Sequence, residues 1–239
     1  KGGKFQVVKH HFTRHGPVTF IDSAMNRACA VRAAWLESGN APYLASLRMN
    51  QSKTWQEFRN ACESSFLPGE NMIWADRKGN IGWQAVGLAP IRKNWSGLVP
   101  VPGDGRFEWS GYLPVKKLPH EFNPAKGFLA TANENNVPSV YTYRNAVGWT
   151  WAENFRSRRI HEVLYKMDQA KLDDLMQLQV DYLSLPAREL VPLLTKPMEN
   201  EIAEKARQEL LKWNFRMEIK SIAAGIYGAW EKEMQAGVR

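Results

Sequence analysis

MIWADRKGNIGWQAV, residues 72–86, carries the strongest hairpin signal in the sequence. It holds two runs rich in Ile, Trp and Val, which are separated by the polar residues 77–80. Gly79 lies in that polar stretch and can adopt the positive φ that a tight hairpin turn requires. The segment therefore predicts a β-hairpin with arms over residues 72–76 and 81–86.

The sequence upstream of the hairpin changes from strand-like to helical patterning. Short runs rich in Val, Phe or Ile predict strands at residues 5–10, 17–22 and 28–35. Apolar residues at helical spacing then predict one helix around residues 43–47 and another over residues 54–66, with Ser52 as N-cap of the second. This part of the chain is thus predicted to combine a sheet with two helices.

The sequence downstream of the hairpin begins with a long segment rich in Pro and Gly. We expect residues 88–124 to form an ordered but irregular loop, held down by the aromatic side chains within it. Residues 127–132 predict one further strand, which delivers the polar residues 133–136. The remaining sequence has helical spacing and predicts five helices. The fold class is therefore α+β, with a strand-rich front over residues 1–150 and a helical back over residues 151–239.

Composition and charge exclude several classes of protein. The 239 residues are 44% hydrophobic and 23% charged, which is ordinary for a folded globular protein and excludes disordered and collagen-like chains. The net charge of +8 permits binding to nucleic acid, but the basic residues are spread along the chain, so a solvated basic surface is the better interpretation. No stretch approaches the roughly 18 apolar residues of a membrane span. We therefore expect neither a nucleic acid nor a membrane as partner.

The two cysteines leave one question open. Cys29 and Cys62 belong to no CxxC pair and have no nearby His at metal-ligand spacing, which argues against a structural zinc site. A single disulfide and two free thiols are both compatible with the sequence.

Catalytic motifs that can be recognised in a single sequence are absent. There is no GxSxG elbow, HExxH, phosphate-binding loop or dinucleotide fingerprint. His10 and His11 are adjacent and would point to opposite faces of a strand, so they cannot share a metal. Asn133 follows a predicted strand end, where its amide can donate to a developing oxyanion. A turn in which this Asn bonds its own backbone is an equally good interpretation.

Several segments nevertheless resemble the nucleophile-bearing chain of penicillin acylases, which are N-terminal nucleophile hydrolases. In the order of the family, they are TRHGP at residues 13–17, NMIWADRKGNIGW at 71–83, VPVPG at 99–103, WSGY at 109–112 and NPAKGFLATAN at 123–133. The resemblance covers nearly the whole chain and is firmest from His10 to Leu164. It implies that the chain is an internal fragment of an αββα sandwich.

By this resemblance, two residues are expected in the active site. Asn133 matches the side-chain oxyanion-hole Asn, which would stabilise the tetrahedral oxyanion formed when an amide carbonyl is attacked. Arg156 matches an Arg that helps to orient the catalytic groups, although Arg158 and Arg159 are close enough to confuse the register. Asn145 aligns with an Asp calcium ligand of some members. We therefore expect no cofactor in this chain and leave calcium to the longer parent protein.

The resemblance also implies what would lie outside the chain. In this family a Ser at position one attacks the amide, and its own α-amino group serves as the base. Residue 1 here is Lys, and none of the 17 glycines precedes Ser, Thr or Cys, so we expect the nucleophile upstream and the fragment alone to be inactive. The parent enzyme would cleave the acyl amide of a penicillin-like, acyl-homoserine-lactone-like or other N-acyl compound through an acyl-enzyme. Its partners would be the remaining segments of the same precursor, in the periplasm or secreted.

A non-catalytic binding function is also compatible with the sequence. The aromatic-rich loop from Trp95 to Phe122 could form the carbohydrate or peptide platform of a non-catalytic binding module. Aromatic side chains in long loops more often pack the loop down than face a ligand. The acylase interpretation is therefore preferred.

Overall fold

The computed structural model describes Gly3, Phe5, residues 7–41 and residues 43–237, and it shows an α+β protein, as the sequence predicts. The chain divides into two compact units. The first comprises Lys1–Leu129 and Asn136–Thr150, and the second comprises Ala130–Asn135 and Trp151–Arg239. None of the helices in the described part of the chain combines the length and hydropathy needed to cross a membrane.

The first unit contains most of the strands. Its elements are β1 (Phe12–Thr13), β2 (Gly16–Asp22), β3 (Arg27–Ala30), α1 (Ala45–Met49), α2 (Trp55–Cys62), β4 (Glu70–Ala75), β5 (Ile81–Val86), β6 (Pro90–Arg92), β7 (Trp109–Tyr112), β8 (His120–Phe122) and α3 (Arg144–Val147). The strands form three antiparallel sheets with the orders β1-β2-β3, β4-β5-β8 and β6-β7.

The predicted hairpin is confirmed as the strand pair β4–β5 of the first unit. Strands β4 and β5 pair in register from Glu70 opposite Val86 to Ala75 opposite Ile81. The turn between them closes because the Asp76 carboxylate accepts hydrogen bonds from the backbone N–H groups of Lys78 and Asn80, at 2.8 and 3.0 Å. Local sequence therefore determines this element.

Strand β5 is the middle strand of its sheet, because β4 and β8 pair along its two edges, and α2 packs against it. The neighbouring residues Trp83 and Gln84 are both buried, although successive side chains of a strand point in opposite directions. The Gln84 amide is fully enclosed, but it accepts from Arg59 Nε at 2.8 Å and donates to the Val115 carbonyl at 2.9 Å. Burial of this polar side chain is therefore compensated.

Helix α2 begins at a different cap from the predicted one. Thr54, rather than Ser52, accepts a hydrogen bond from the backbone N–H of Glu57, and the Glu57 carboxylate accepts from the backbone N–H of Lys53. The Thr54 hydroxyl thus satisfies one helix N-terminal donor, and the Glu57 carboxylate holds the backbone just before the cap. The helix ends at Cys62 rather than extending to Phe66.

Four predicted features upstream and downstream of the hairpin are wrong in whole or in part. Residues 88–124 are not irregular throughout, because they supply β6, β7 and β8. Residues 127–132 form no strand, and neither do residues 7–10 of the first predicted strand, whose Gln6 lies outside the described residues. A strand needs a hydrogen-bonded neighbour, and no described residue pairs with either segment in a ladder. Strand β3 is also shorter than predicted, because it gives way to a 3₁₀ turn at Ala34–Leu36.

The second unit is helical, as predicted. Its elements are α4 (Phe155–Leu164), α5 (Leu172–Gln179), α6 (Leu185–Leu190), a 3₁₀ turn (Val191–Leu193), α7 (Glu201–Leu211) and α8 (Ile222–Gly237). Its core contains Val191, Leu210, Trp213 and Tyr227, and the Tyr227 side chain is fully buried.

Candidate active site

Asn133 lies in a turn of the second unit, not at the end of a strand. Its φ is +65°, in the left-handed region, which Asn adopts more readily than most residues. Two hydrogen bonds hold this turn: the Asn133 carbonyl accepts from Ala152 N–H at 3.0 Å, and the Glu134 carboxylate accepts from Ala132 N–H at 2.6 Å. The backbone on both sides of Asn133 is therefore fixed while its side chain stays exposed.

The structure brings the two sequence-predicted site residues together. Arg156 Nη2 donates a hydrogen bond of 2.8 Å to Asn133 Oδ1. A guanidinium has only donors, so this contact turns the amide oxygen toward Arg156 and leaves the Nδ2 protons directed elsewhere. Among the described residues, Nδ2 makes no hydrogen bond. The arrangement therefore presents an oriented, unoccupied amide donor beside a positive charge.

Of the three neighbouring arginines, Arg156 is the one that contacts Asn133. Arg158 donates to the Glu189 carboxylate at 2.5 Å, and Arg159 donates to Asp181 at 2.6 and 2.8 Å. Within the described part of the chain, Arg156 has no carboxylate partner. Arg156, the arginine that the resemblance selected, is thus the one of the three whose guanidinium hydrogen-bonds Asn133 and not a described carboxylate.

Ion pairs fix helix α4, on which Arg156 lies. Arg188 binds Glu162 through two parallel hydrogen bonds of 3.0 Å, a geometry that is stronger than a single contact. The hydrogen bond from Arg188 lowers the pKa of Glu162 to about 2, with further lowering by the nearby charge of Arg159. Glu162 is therefore ionised at neutral pH and holds α4 against α6.

Sequence reasoning did not single out Glu134 and Ala152 as supports of the turn. Glu134 was visible only as part of a polar cluster, because the hydrogen bond that its carboxylate accepts from the backbone N–H two residues earlier depends on the turn itself. Ala152 acts through its backbone N–H, which no side-chain pattern can reveal.

Ser157 and His161 make the closest approach of a hydroxyl to an imidazole on α4, but they do not form a nucleophile and base. His161 Nδ1 lies 2.9 Å from the Ser157 carbonyl and 3.4 Å from its hydroxyl. A carbonyl can only accept, so Nδ1 carries the proton and cannot remove one from the Ser157 hydroxyl. Ser157 is also buried.

The TRHGP motif of the first unit has a structural role. Glu108 accepts from Arg14 at 2.9 Å and His15 at 2.8 Å, and Arg32 lies at 3.3 Å on its other oxygen. The hydrogen bond with His15, followed by the nearby positive charges, lowers the pKa of Glu108 despite some opposing desolvation. This cluster ties the turn after β1 to the start of β7.

Asn145 does not fit a calcium site. Its side-chain oxygen accepts from Trp149 Nε1 at 3.0 Å, and its carbonyl accepts from Arg92 Nη1 at 2.6 Å. Each oxygen thus already accepts a hydrogen bond, and the Arg92 guanidinium beside the carbonyl would repel a cation. Over the described residues, no three His, Cys, Asp or Glu side chains are grouped so as to hold a metal ion. Cys29 and Cys62 are free thiols, and burial raises the pKa of Cys62 to about 11.

Comparison with known proteins gives consistent matches. A family model described as penicillin amidase matches residues 1–239. The acyl-homoserine lactone acylase QuiP of Pseudomonas aeruginosa is 27% identical over 253 residues, covering 93% of this chain and 29% of that protein. The penicillin acylase 2 proenzyme of Pseudomonas sp. strain SE83 is 28% identical over 238 residues, covering 97% of this chain and 30% of that protein.

A solved structure shares the fold. Thermostable penicillin G acylase from Alcaligenes faecalis superimposes with a TM-score of 0.67 at 24% identity, covering 87% of this chain and 38% of that chain. The chain spans less than a third of the length of the two curated relatives, one of which is named as a proenzyme.

Proposed function

Because the chain belongs to the penicillin amidase family, we propose that its parent protein is an amidohydrolase that cleaves the acyl amide of N-acyl compounds through an acyl-enzyme. The substrate class is penicillin-like, acyl-homoserine-lactone-like or a related N-acyl compound, in line with the names of the relatives. The observation that carries the proposal is the 2.8 Å hydrogen bond between Arg156 and Asn133 in a fixed left-handed turn.

Asn133 supplies the side-chain half of the oxyanion hole. When a nucleophile adds to the amide carbonyl, negative charge develops on the oxygen, and a donor that is already oriented stabilises this charge without reorganisation. Arg156 orients the Asn133 amide, and its charge polarises the amide so that the Nδ2–H becomes a stronger donor. Collapse of the tetrahedral intermediate then expels the amine and leaves the acyl group on the nucleophile.

The nucleophile is an N-terminal Ser from a part of the parent protein outside residues 1–239, and the present chain by itself is inactive. The length of the relatives supports a nucleophile outside this chain, since each relative is more than three times as long as its segment that matches this chain. The partners of the chain are accordingly the other segments of one precursor, and its calcium ligands, where the parent binds calcium, come from those segments.

Strand β2 supports the need for these segments. Phe20 and Ile21 are consecutive and therefore point to opposite faces of the sheet, yet their exposed fractions are 59% and 55%. A sheet that exposes large apolar side chains on both faces needs layers that cover them. Additional sheet and helix layers of the parent would do so. We place the parent in the periplasm or outside the cell, in keeping with the family.

The binding-module alternative receives little support from the aromatic loop. Trp95 packs edge-on against Phe107 at 6.3 Å, and Trp109 packs edge-on against Tyr112 at 6.0 Å, while the Arg32 guanidinium covers the Trp109 ring at 4.4 Å. These rings contact one another instead of forming an open platform.

The test uses the full-length mature parent protein with an N-phenylacetyl anilide and an N-octanoyl homoserine lactone. We expect release of the carboxylic acid, an acyl adduct detectable by mass spectrometry, and a fall in kcat of about 10²–10³ in Asn133→Ala. Asn26→Ala is the matched control, because Asn26 is also an exposed Asn at positive φ, 48°, but lies in the first unit. Equal kcat values for the two variants, or hydrolysis without an acyl adduct, would contradict the proposal.

A further inference from the structure

A cleft of about 600 Å³ lies between the start of α2 and the turn of the β4–β5 hairpin. This volume lies within the range of small-molecule sites. Its lining residues all belong to the first unit, so the cleft contains neither Asn133 nor Arg156. The cleft is therefore formed by different residues from those of the candidate active site.

The floor and walls of the cleft are aromatic and firmly packed. The Trp55 ring stacks on Phe122 at 5.3 Å with an interplanar angle of 15°. Trp55 also lies against Gly82, where an added Cβ would come within 2.6 Å of its ring, so the indole rests directly on strand β5. Trp74 forms a further part of the wall, and its buried Nε1 has no hydrogen-bond partner in the described part of the chain.

The rim of the cleft is positively charged. Lys53, Arg77 and Lys78 line it, all three are exposed, and none forms an ion pair with a described residue. The acidic residue of the lining is Asp76, whose two oxygens accept three hydrogen bonds from Lys78 and Asn80 within the hairpin turn. Asp76 thus stabilises its own turn, and its single negative charge, which also interacts with Lys78, is outnumbered by the positive charges of Lys53, Arg77 and Lys78.

We propose that this cleft binds a small aryl carboxylate. The aromatic group would lie against the Trp55, Trp74 and Phe122 rings, where apolar and stacking contacts are favourable. The carboxylate would face Lys53 and Lys78 at the rim, where charge-assisted hydrogen bonds are available. The pairing of three unpaired cations with an apolar floor selects an anionic amphiphile over a neutral or cationic one.

The experiment is a calorimetric titration of the full-length parent protein with 4-phenylbutyrate. The neutral 4-phenylbutanol and the cationic 4-phenylbutylamine keep the ring and chain but change the charge. We expect saturable binding of the carboxylate with a Kd of about 1 mM or tighter, and binding at least about tenfold weaker for both analogues.

Two double variants locate the site. Lys53→Gln with Lys78→Gln removes the rim charges and should weaken carboxylate binding about tenfold or more. Lys93→Gln with Lys196→Gln removes two exposed charges elsewhere and should leave the affinity unchanged. The component of binding that depends on Lys53 and Lys78 reports this cleft, and a component that persists reports another site, such as an acyl pocket of the proposed enzyme.

Several outcomes would overturn the proposal. These are the absence of saturable binding, equal affinity for the alcohol and the carboxylate, and equal effects of the two double variants. Loss of amidase activity in the parent would leave the titration unaffected, so the two proposals fail independently.

Discussion

The contact between Arg156 and Asn133 yields the most decisive prediction. In Arg156→Met the side chain keeps much of its length but loses the donor that fixes the Asn133 amide. The full-length parent protein with an N-acyl anilide is the system, and kcat is the quantity measured. We expect kcat to fall because the amide no longer presents Nδ2 to the oxyanion in one orientation.

The magnitude follows from the geometry of one charge-assisted hydrogen bond. Such bonds contribute about 1.5–3 kcal/mol, and the exposure of both side chains places this one near the lower end of that range. Since about 1.4 kcal/mol corresponds to a factor of ten in rate, kcat should fall about tenfold. Arg158→Met is the control, because it removes the same charge from the same helix without touching Asn133. We expect its kcat to equal that of the unmodified protein.

A double-mutant cycle separates two ways in which Arg156 can act. If it works only by orienting Asn133, then Arg156→Met has no further effect in the Asn133→Ala background, and the coupling energy equals the effect of the single Arg156 variant. If the guanidinium acts on the oxyanion through its own charge, the two losses multiply. Multiplicative losses would refute the positioning role that the 2.8 Å contact suggests.

Two further predictions concern the surroundings of this contact. Glu134→Ala removes the carboxylate that accepts from the backbone of the Asn133 turn and should lower kcat about tenfold. Glu134→Gln keeps an acceptor oxygen and should therefore retain most of the activity. Equal losses of kcat in both variants would show that the charge, not the hydrogen bond, matters. Glu162→Gln weakens the pair with Arg188 and should cost about 1 kcal/mol of unfolding free energy after solvent screening. Because the pKa of Glu162 is lowered to about 2 in the folded protein, the difference in unfolding free energy between the two proteins should be full above pH about 4.5 and should disappear as pH falls toward 2. Urea unfolding across this pH range tests the expectation. A difference that persists at the lowest pH contradicts it.

Features set by local interactions were predictable from the sequence. The β4–β5 hairpin forms where expected because its turn is closed by residues within four positions of each other. Helices of the second unit follow their apolar spacing for the same reason. Strands β6, β7 and β8 were not predicted, because their pairing partners lie far along the chain and the strands are only three or four residues long.

In the candidate site, too, the residue types were predictable from the sequence and the contacts between distant residues were not. The type of residue at Asn133 and at Arg156 could be proposed from motifs, but their contact joins positions 23 residues apart and depends on where α4 begins. The predicted strand before Asn133 was wrong because residues 127–132 find no pairing partner in the described structure. The turn that replaces it relies on a backbone N–H and on the Glu134 carboxylate, and neither gives a periodic signal.

Under the proposed function, the geometry at residue 133 accounts for an Asn at this position. The position demands a left-handed backbone, which Gly, Asn and Asp adopt with the least strain. The proposed oxyanion role also requires an acceptor for Arg156 and a donor for the oxyanion on the same side chain. Gly has neither group, and an ionised Asp has no donor and would repel the oxyanion. Gln carries both groups, but it lacks the preference of Asn for this backbone region and its longer side chain would reach a different point. Asn therefore meets all three requirements, and Asn133→Asp should impair turnover at least as severely as Asn133→Ala.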